Sequence, residues 1–210
     1  MNVIRAVKRQ MIGRMCDAHD NILNLLKIIE LAGDGNYLEI GVLHGGSLCA
    51  VGLLKQKLNQ AGMCIAIDPL DGYYSDYIDA AHPTQIGCEV DPRTRVPVTI
   101  ETVQENIKRF DLLNRCQIIQ AKSYPFPDEA RAHKYAVCYI DGDHWGEAPY
   151  QDFLSVKDLV TGFIVFDNHT PRNDGVMKAC KIAEQDPDWK KFLEVEGIFI
   201  LERRCDETRQ

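Results

Sequence analysis

The residues best placed to do chemistry stand where short apolar runs stop: Gly41, Asp68, Ser123, Asp141 and Asp167. In open α/β sheets ligands bind beyond the carboxyl ends of the strands, so these positions outrank polar residues elsewhere. One constellation is Tyr139-Ile140-Asp141-Gly142-Asp143-His144-Trp145 followed, one strand-helix-strand crossover later, by Asp167-Asn168. If the two strands are neighbours, about 4.8 Å apart, both carboxylates and the amide converge above the sheet. Oxygen donors without a soft ligand suit a hard divalent cation such as Mg²⁺. The plainer alternative is that strand-end aspartates only cap neighbouring loops and helices.

The second constellation is Glu39-Ile40-Gly41-Val42-Leu43-His44-Gly45-Gly46-Ser47. Its glycines allow a ligand to approach the backbone, and amides at the start of the following helix, from Gly46 and Ser47, face it. The spacing is not the Gly-x-Gly-x-x-Gly of dinucleotide enzymes, because the next glycine comes at Gly45. Asp68, at the end of the next apolar run, suits acceptance from two ribose hydroxyls. Turn and acid together indicate a nucleoside ligand, and they do not choose between NAD and S-adenosylmethionine.

Parallel strands must position these residues. Tyr37 to Ile40, Met63 to Ile67, Cys116 to Gln120, Tyr135 to Ile140 and Phe163 to Phe166 are short, uniformly apolar runs separated by helical stretches, as expected of strands buried on both faces. Ile22, Leu25, Leu26 and Ile29 recur at helical spacing, so a helix is predicted over Asp20 to Leu31, stopped by Gly33. Another is predicted from Ser47 to Gln60. Lys191 to Val195 and Ile198 to Glu202, joined by Glu196-Gly197, are too close for a parallel crossover and predict an antiparallel hairpin at one sheet edge. The fold expected is therefore α/β, doubly wound, with a mostly parallel seven-stranded Rossmann-like sheet, helices on both faces and a C-terminal antiparallel hairpin. A helical cover is expected over 1–35, the main domain over 36–203 and a tail over 204–210. The polar, Tyr-, Asp-, Gly- and Pro-rich stretch 69–97 reads as a lid or substrate-recognition insertion, since so long a loop in a compact domain is usually functional.

Composition narrows the function classes. With 24 Lys and Arg against 31 Asp and Glu the 210-residue chain carries a net charge of −7, which makes nucleic acid and anionic membrane poor partners. The 8 cysteines are spread singly without metal-type spacing, as reduced core cysteines are. The basic N-terminus lacks the apolar run of a signal peptide, and no apolar stretch approaches a membrane span. A cytoplasmic setting is the expectation.

Tyr37 to Ser47, Ile67-Asp68-Pro69, Ile140 to Trp145 and Val165 to Asn168 resemble the motifs of class I S-adenosylmethionine-dependent methyltransferases. More narrowly they resemble the branch holding macrocin-type sugar O-methyltransferases and cephalosporin-hydroxylase-like proteins, the methyltransferase 24 type. The resemblance implies that Glu39, Gly41 and Gly45 lie along the methionine portion and ribose of the cofactor, that Asp68 holds the ribose hydroxyls and that Ser123 sits beside the adenine. It makes Asp141, Asp167 and Asn168 the metal ligands, and His144 the general base, with His169 in reserve. His44 is expected to line the cofactor turn, and Trp145 either to contact adenine or to fill the loop base. Lys122 stands where many relatives carry an acid, a departure beside Ser123.

The function expected is metal-assisted O-methylation of a small hydroxylated acceptor, such as a sugar, a phenol or catechol, or a natural product. An NAD-type oxidoreductase and a non-catalytic S-adenosylmethionine-binding protein are the alternatives. The N-terminal helix could cover the acceptor site or a homo-oligomer interface; the sequence leaves both open.

Overall fold

The computed structural model describes residues 2–15, 19–71, 91 and 93–204, and most of the 69–97 insertion and of the 204–210 tail falls outside them. The chain begins with two helices, α1 (Val3–Gln10) and α2 (His19–Ala32). Then β1 (Asn36–Ile40), α3 (Gly46–Leu58), β2 (Cys64–Asp68), α4 (Ile100–Arg109), β3 (Cys116–Gln120), the short α5 (Asp128–Arg131), β4 (Tyr135–Ile140), α6 (Ala148–Val156), β5 (Val160–His169) and α7 (Asp174–Ala183) alternate. The chain closes with β6 (Trp189–Val195) and β7 (Gly197–Arg203).

All seven strands form one sheet in the order β3-β2-β1-β4-β5-β7-β6. The first five are parallel, and β7 runs antiparallel to both β5 and β6. This is the doubly wound sheet with a terminal hairpin that the apolar runs predict. Side chains alternate along each strand. Leu38, Ile40, Ile65, Ile67, Cys138 and Ile140 therefore pack under α5, α6 and α7, while Tyr37, Ala66, Val137, Tyr139 and Val165 pack under α1 to α4. Burial of strands from both sides explains why they read as continuous apolar runs rather than alternating ones.

Helix boundaries follow local chemistry. Gly45 opens α3 and Asn59 closes it, both in the left-handed region at φ 79° and 55°, as expected of small or amide residues at helix ends. Thr99 caps α4 by accepting from the Thr102 N–H. Ile22, Leu25 and Ile29 of α2 are buried, while Leu31 is exposed, so the helix presents one apolar stripe to the sheet. Cys49, Cys64, Cys116, Cys138 and Cys180 are buried free thiols, in keeping with their apolar settings. No helix among the described residues is long and apolar enough to cross a membrane.

Strand order reverses at β1 and β4. From β1 the chain steps outward through β2 to β3, and β4 then returns to the other side of β1. The crevice outside the carboxyl ends of β1 and β4 is the topological switch point of this sheet.

Candidate functional site

A cavity of about 760 Å³ opens at that switch point, a volume suited to a cofactor-sized ligand. Of the residues singled out from the sequence, Gly41, Gly46, Ser47, Asp68, Ser123, Asp141, His144 and Asn168 line it. Glu39, Gly45 and Asp167 do not; each lies behind the wall. A smaller hollow of about 410 Å³ between α4 and β3 holds none of these groups.

Gly41 shows why the turn needs glycine. Its φ is +87°, and a Cβ there would stand 2.1 Å from the Asp141 carbonyl oxygen. The Asp141 N–H donates to the Ile40 carbonyl at 2.8 Å, so the two strand ends are laced together where the chain leaves each of them.

Asp68 fixes the turn from the other side. Its Oδ2 accepts from the Val42 N–H at 2.7 Å and its Oδ1 from the Leu70 N–H at 2.8 Å. Burial raises its pKa, and those backbone donors oppose the rise. The capping role and the ligand role are compatible, because an ionised carboxylate offers about four acceptor sites and the Val42, Leu43 and Leu70 amides do not fill them all.

Glu39 is fully buried beneath the turn and accepts from the Tyr37 hydroxyl at 2.7 Å and the Ser47 hydroxyl at 2.5 Å. With both oxygens engaged inside the protein, it meets the cavity through Ser47. Burial pushes its pKa from 4.5 up to about 7, against the pull of the two hydroxyl donors.

On the far side, His144 Nε2 lies 3.3 Å from Asp141 Oδ1 and 3.0 Å from Asn168 Nδ2, and Asn168 Nδ2 is 3.2 Å from Asp141 Oδ1. β4 and β5 are indeed neighbours, with Ile140 opposite Phe166. Asn168 sits at φ 55° where the pairing of β5 with β7 shifts register, a local bulge that turns its side chain toward the cavity. Asp167 instead points to the helix-covered face. It is fully buried, its Oδ1 accepts from Asn21 Nδ2 at 2.5 Å, and its Oδ2 makes no hydrogen bond among the described residues. Burial first, and the nearby Asp141 second, hold its pKa well above the usual carboxylate range.

The remaining expectations sort differently. His44 is buried outside the cavity, with Nδ1 accepting from the Arg14 N–H at 3.3 Å and Nε2 facing the Val96 carbonyl, and burial lowers its pKa. It braces the turn from behind. His169 is buried against Phe199, 4.0 Å from Glu194, away from the cavity. Trp145 is 37% exposed and does not line the cavity.

Several partners carry no signal readable in the sequence. Arg14 and Met15 form one cavity wall. Arg14 Nε pairs with Asp91 at 2.8 Å. The buried Asn106 side chain accepts from the Ile12 N–H at 2.7 Å and donates to the Ile12 and His44 carbonyls, each at 2.9 Å. Behind Ser123 stands Asp152 of α6, buried, its pKa pushed up to about 6 by burial against a hydrogen bond from the Ser123 side chain.

Comparison with solved structures places this architecture. The O-methyltransferase NovP matches with TM-score 0.70 and 15% identity over 95% of this chain and 88% of that one. An O-methyltransferase from Bacillus cereus in complex with SAH matches with TM-score 0.65 and 14% identity, covering 97% and 91%. TomG from Streptomyces achromogenes, an O-methyltransferase involved in tomaymycin synthesis and solved with SAM, gives 0.64 and 11% over 98% and 91%. No curated protein matches the sequence. Sheet order, terminal hairpin and switch-point cavity together define the class I S-adenosylmethionine-dependent methyltransferase fold. Residues 38–169, more than half of the chain, match the family model described as a methyltransferase domain, methyltransferase 24; the chain belongs to that family. The NAD-type oxidoreductase reading falls with this assignment.

Proposed function

We propose that this protein is an O-methyltransferase that passes the methyl group of S-adenosylmethionine to a hydroxyl of a small acceptor, such as a sugar, catechol or natural product, with help from a divalent cation. The observation that carries the reading is one cavity joining the Asp68-capped glycine turn to the Asp141, His144 and Asn168 cluster. The first half suits a nucleoside and the second suits activation of a hydroxyl.

On the cofactor side, Asp68 accepts from the ribose with the acceptor capacity that the Val42, Leu43 and Leu70 amides leave open. Gly41 lets the ligand approach the backbone, with Glu39 and Gly45 shaping the turn from behind. Gly46 and Ser47 present the amide end of α3 to the amino-acid half. Ser123, held by Asp152, stands beside the nucleobase. When bound, S-adenosylmethionine supplies a methyl already activated by its sulfonium charge.

The cation part of the reading rests on the residue types at the ends of β4 and β5. Asp141 and Asn168 line the cavity, and Asp167 lies buried behind its wall, where burial first and the nearby Asp141 second raise its pKa. Asp141, Asp167 and Asn168 would hold Mg²⁺ or a similar ion, which lowers the pKa of an acceptor hydroxyl and fixes its direction. His144 then takes the hydroxyl proton, with Asp141 and Asn168 beside its Nε2 orienting the ring. Alignment of acceptor oxygen with the methyl carbon removes entropy otherwise lost at the barrier.

The test is transfer of labelled methyl from S-adenosylmethionine to a panel of sugars and catechols, with and without EDTA. Transfer that is lost on chelation and restored by Mg²⁺ is expected. Activity that survives exhaustive chelation removes the cation, and absence of S-adenosylhomocysteine binding removes the cofactor assignment.

A further inference from the structure

We propose that Asn173, at the start of α7, is a positioning residue for the base: its side-chain amide fastens the Asn168 backbone, and Asn168 in turn holds the His144 ring. The inference rests on the reading of His144 as the base and is independent of the cation.

The place of Asn173 in the sequence suggests a plainer task. It immediately precedes α7, where Asn is favoured because its side-chain oxygen can accept from an amide of the first turn. That hydrogen bond is not made. The side chain turns back along the chain instead, and its Nδ2 donates to the Asn168 carbonyl at 2.9 Å and, more weakly, to the Thr170 hydroxyl at 3.5 Å. The Thr170 N–H donates to the same Asn168 carbonyl at 2.7 Å. Two donors thus hold the carbonyl of a residue that sits in the left-handed region, at φ 55°. A residue other than glycine persists there only where its surroundings fix it. From that backbone the Asn168 side chain reaches to 3.0 Å from His144 Nε2 and 3.2 Å from Asp141 Oδ1.

The same end of α7 meets the base itself. A Cβ on Gly175 would stand 2.5 Å from the His144 carbonyl oxygen and 2.9 Å from the Gly146 nitrogen, so the first turn of the helix lies directly on the backbone that carries His144. One helix start therefore sets both partners of the contact. The hydrogen bond made at one ring nitrogen fixes the orientation and tautomer of an imidazole, and a shift of about 1 Å in a reacting group can cost about 10²-fold in rate.

The experiment uses Asn173→Asp and Asn173→Ser. Both residues start helices as well as Asn does, so α7 keeps its cap, but an ionised Asp has no donor and Ser is one bond shorter than the reach required. Methyl transfer to the acceptor panel is measured for each variant, alone and combined with His144→Ala, together with S-adenosylhomocysteine affinity. The ¹⁵N–¹H signal of the Asn168 side-chain amide, assigned by its loss in Asn168→Asp, reads the contact without turnover. The expected result is kcat lowered about 10–100-fold with S-adenosylhomocysteine affinity unchanged, no further loss once His144 is absent, and the Asn168 amide signal displaced toward that of an exposed amide. Variants with wild-type kcat or an unmoved Asn168 signal overturn the role of Asn173 and leave His144 as the base. A loss carried in full into the His144→Ala background also overturns it, because Asn173 then acts by another route. Full kcat in His144→Ala itself overturns the base and this inference together.

Discussion

Glu39 makes stability depend on pH in a direction opposite to that of most carboxylates. Its side chain is fully buried, and what meets it is two hydroxyls rather than a cation. Ionisable groups around it among the described residues include Tyr37, whose hydroxyl pKa is itself raised by burial and by Glu39, the acids Asp68 and Asp167, and the buried thiols Cys49, Cys116 and Cys138. None supplies positive charge. Between its ordinary pKa of 4.5 and its folded value of about 7, the native protein keeps a proton that the unfolded chain releases. Stability therefore falls as pH rises through that window, is unaffected by this group below it, and bears the full cost above it. At about 1.4 kcal/mol per tenfold change, the whole displacement is worth about 3 kcal/mol, of which about 2–3 kcal/mol falls between pH 5 and pH 8. Glu39→Gln keeps the shape, and the Tyr37 and Ser47 hydroxyls can donate to the amide oxygen and accept from its nitrogen. Urea unfolding of the cofactor-free protein at both pH values should show the variant gaining about 2–3 kcal/mol on the wild type as pH rises from 5 to 8. A stability difference that is the same at both pH values would refute the argument, since only the titration of residue 39 separates the two proteins.

Three further outcomes follow from the site. Asp68→Ala removes the acceptor for the Val42 and Leu70 amides and should weaken S-adenosylhomocysteine about 10–100-fold by calorimetry, the scale of a lost hydrogen bond to a charged group. Gly41→Ala would force a Cβ to within 2.1 Å of the Asp141 carbonyl at φ +87°; thermal unfolding should show a loss of at least about 2 kcal/mol, and ligand binding should go with it. His144→Ala should lower kcat about 10²–10⁴-fold, the range of a positioned general base, with S-adenosylhomocysteine affinity unchanged; equal kcat would remove His144 as the base.

The sheet was legible because parallel strands covered on both faces advertise themselves as apolar runs, and the residue ending each run falls at the ligand-binding edge. By that rule Gly41, Asp68, Ser123 and Asp141 were picked out, and all four line the cavity. Strand β5 extends past the apolar run to His169 because Asp167 and His169 go on pairing with β7 across the register shift at Asn168, which a rule based on hydropathy ends at Phe166. For the same reason Asp167 was expected above the sheet, while the structure turns it under α2. Glu39 was expected along the cofactor and lies one layer deeper, since alternation sends its side chain under α3. Asn21 and Asn106 were invisible for another reason. A single amide on a helix reads as part of its polar face, and only tertiary packing shows that the face is covered. The helix α1 was expected only as an undivided part of the helical cover over 1–35, because just Ile4, Ala6 and Val7 of it are buried.

The clamp made by Asn106 has a consequence for the order in which the molecule can be completed. The segment that carries the Arg14 and Met15 wall leaves the ribosome well before its fastener, since Ile12 is held by a side chain 94 residues further on. At about 5–20 residues per second that partner arrives roughly 5–20 s later. Asp141 and Asn168 follow later still. The wall is therefore fastened only after β1, α3, β2 and α4 have been made.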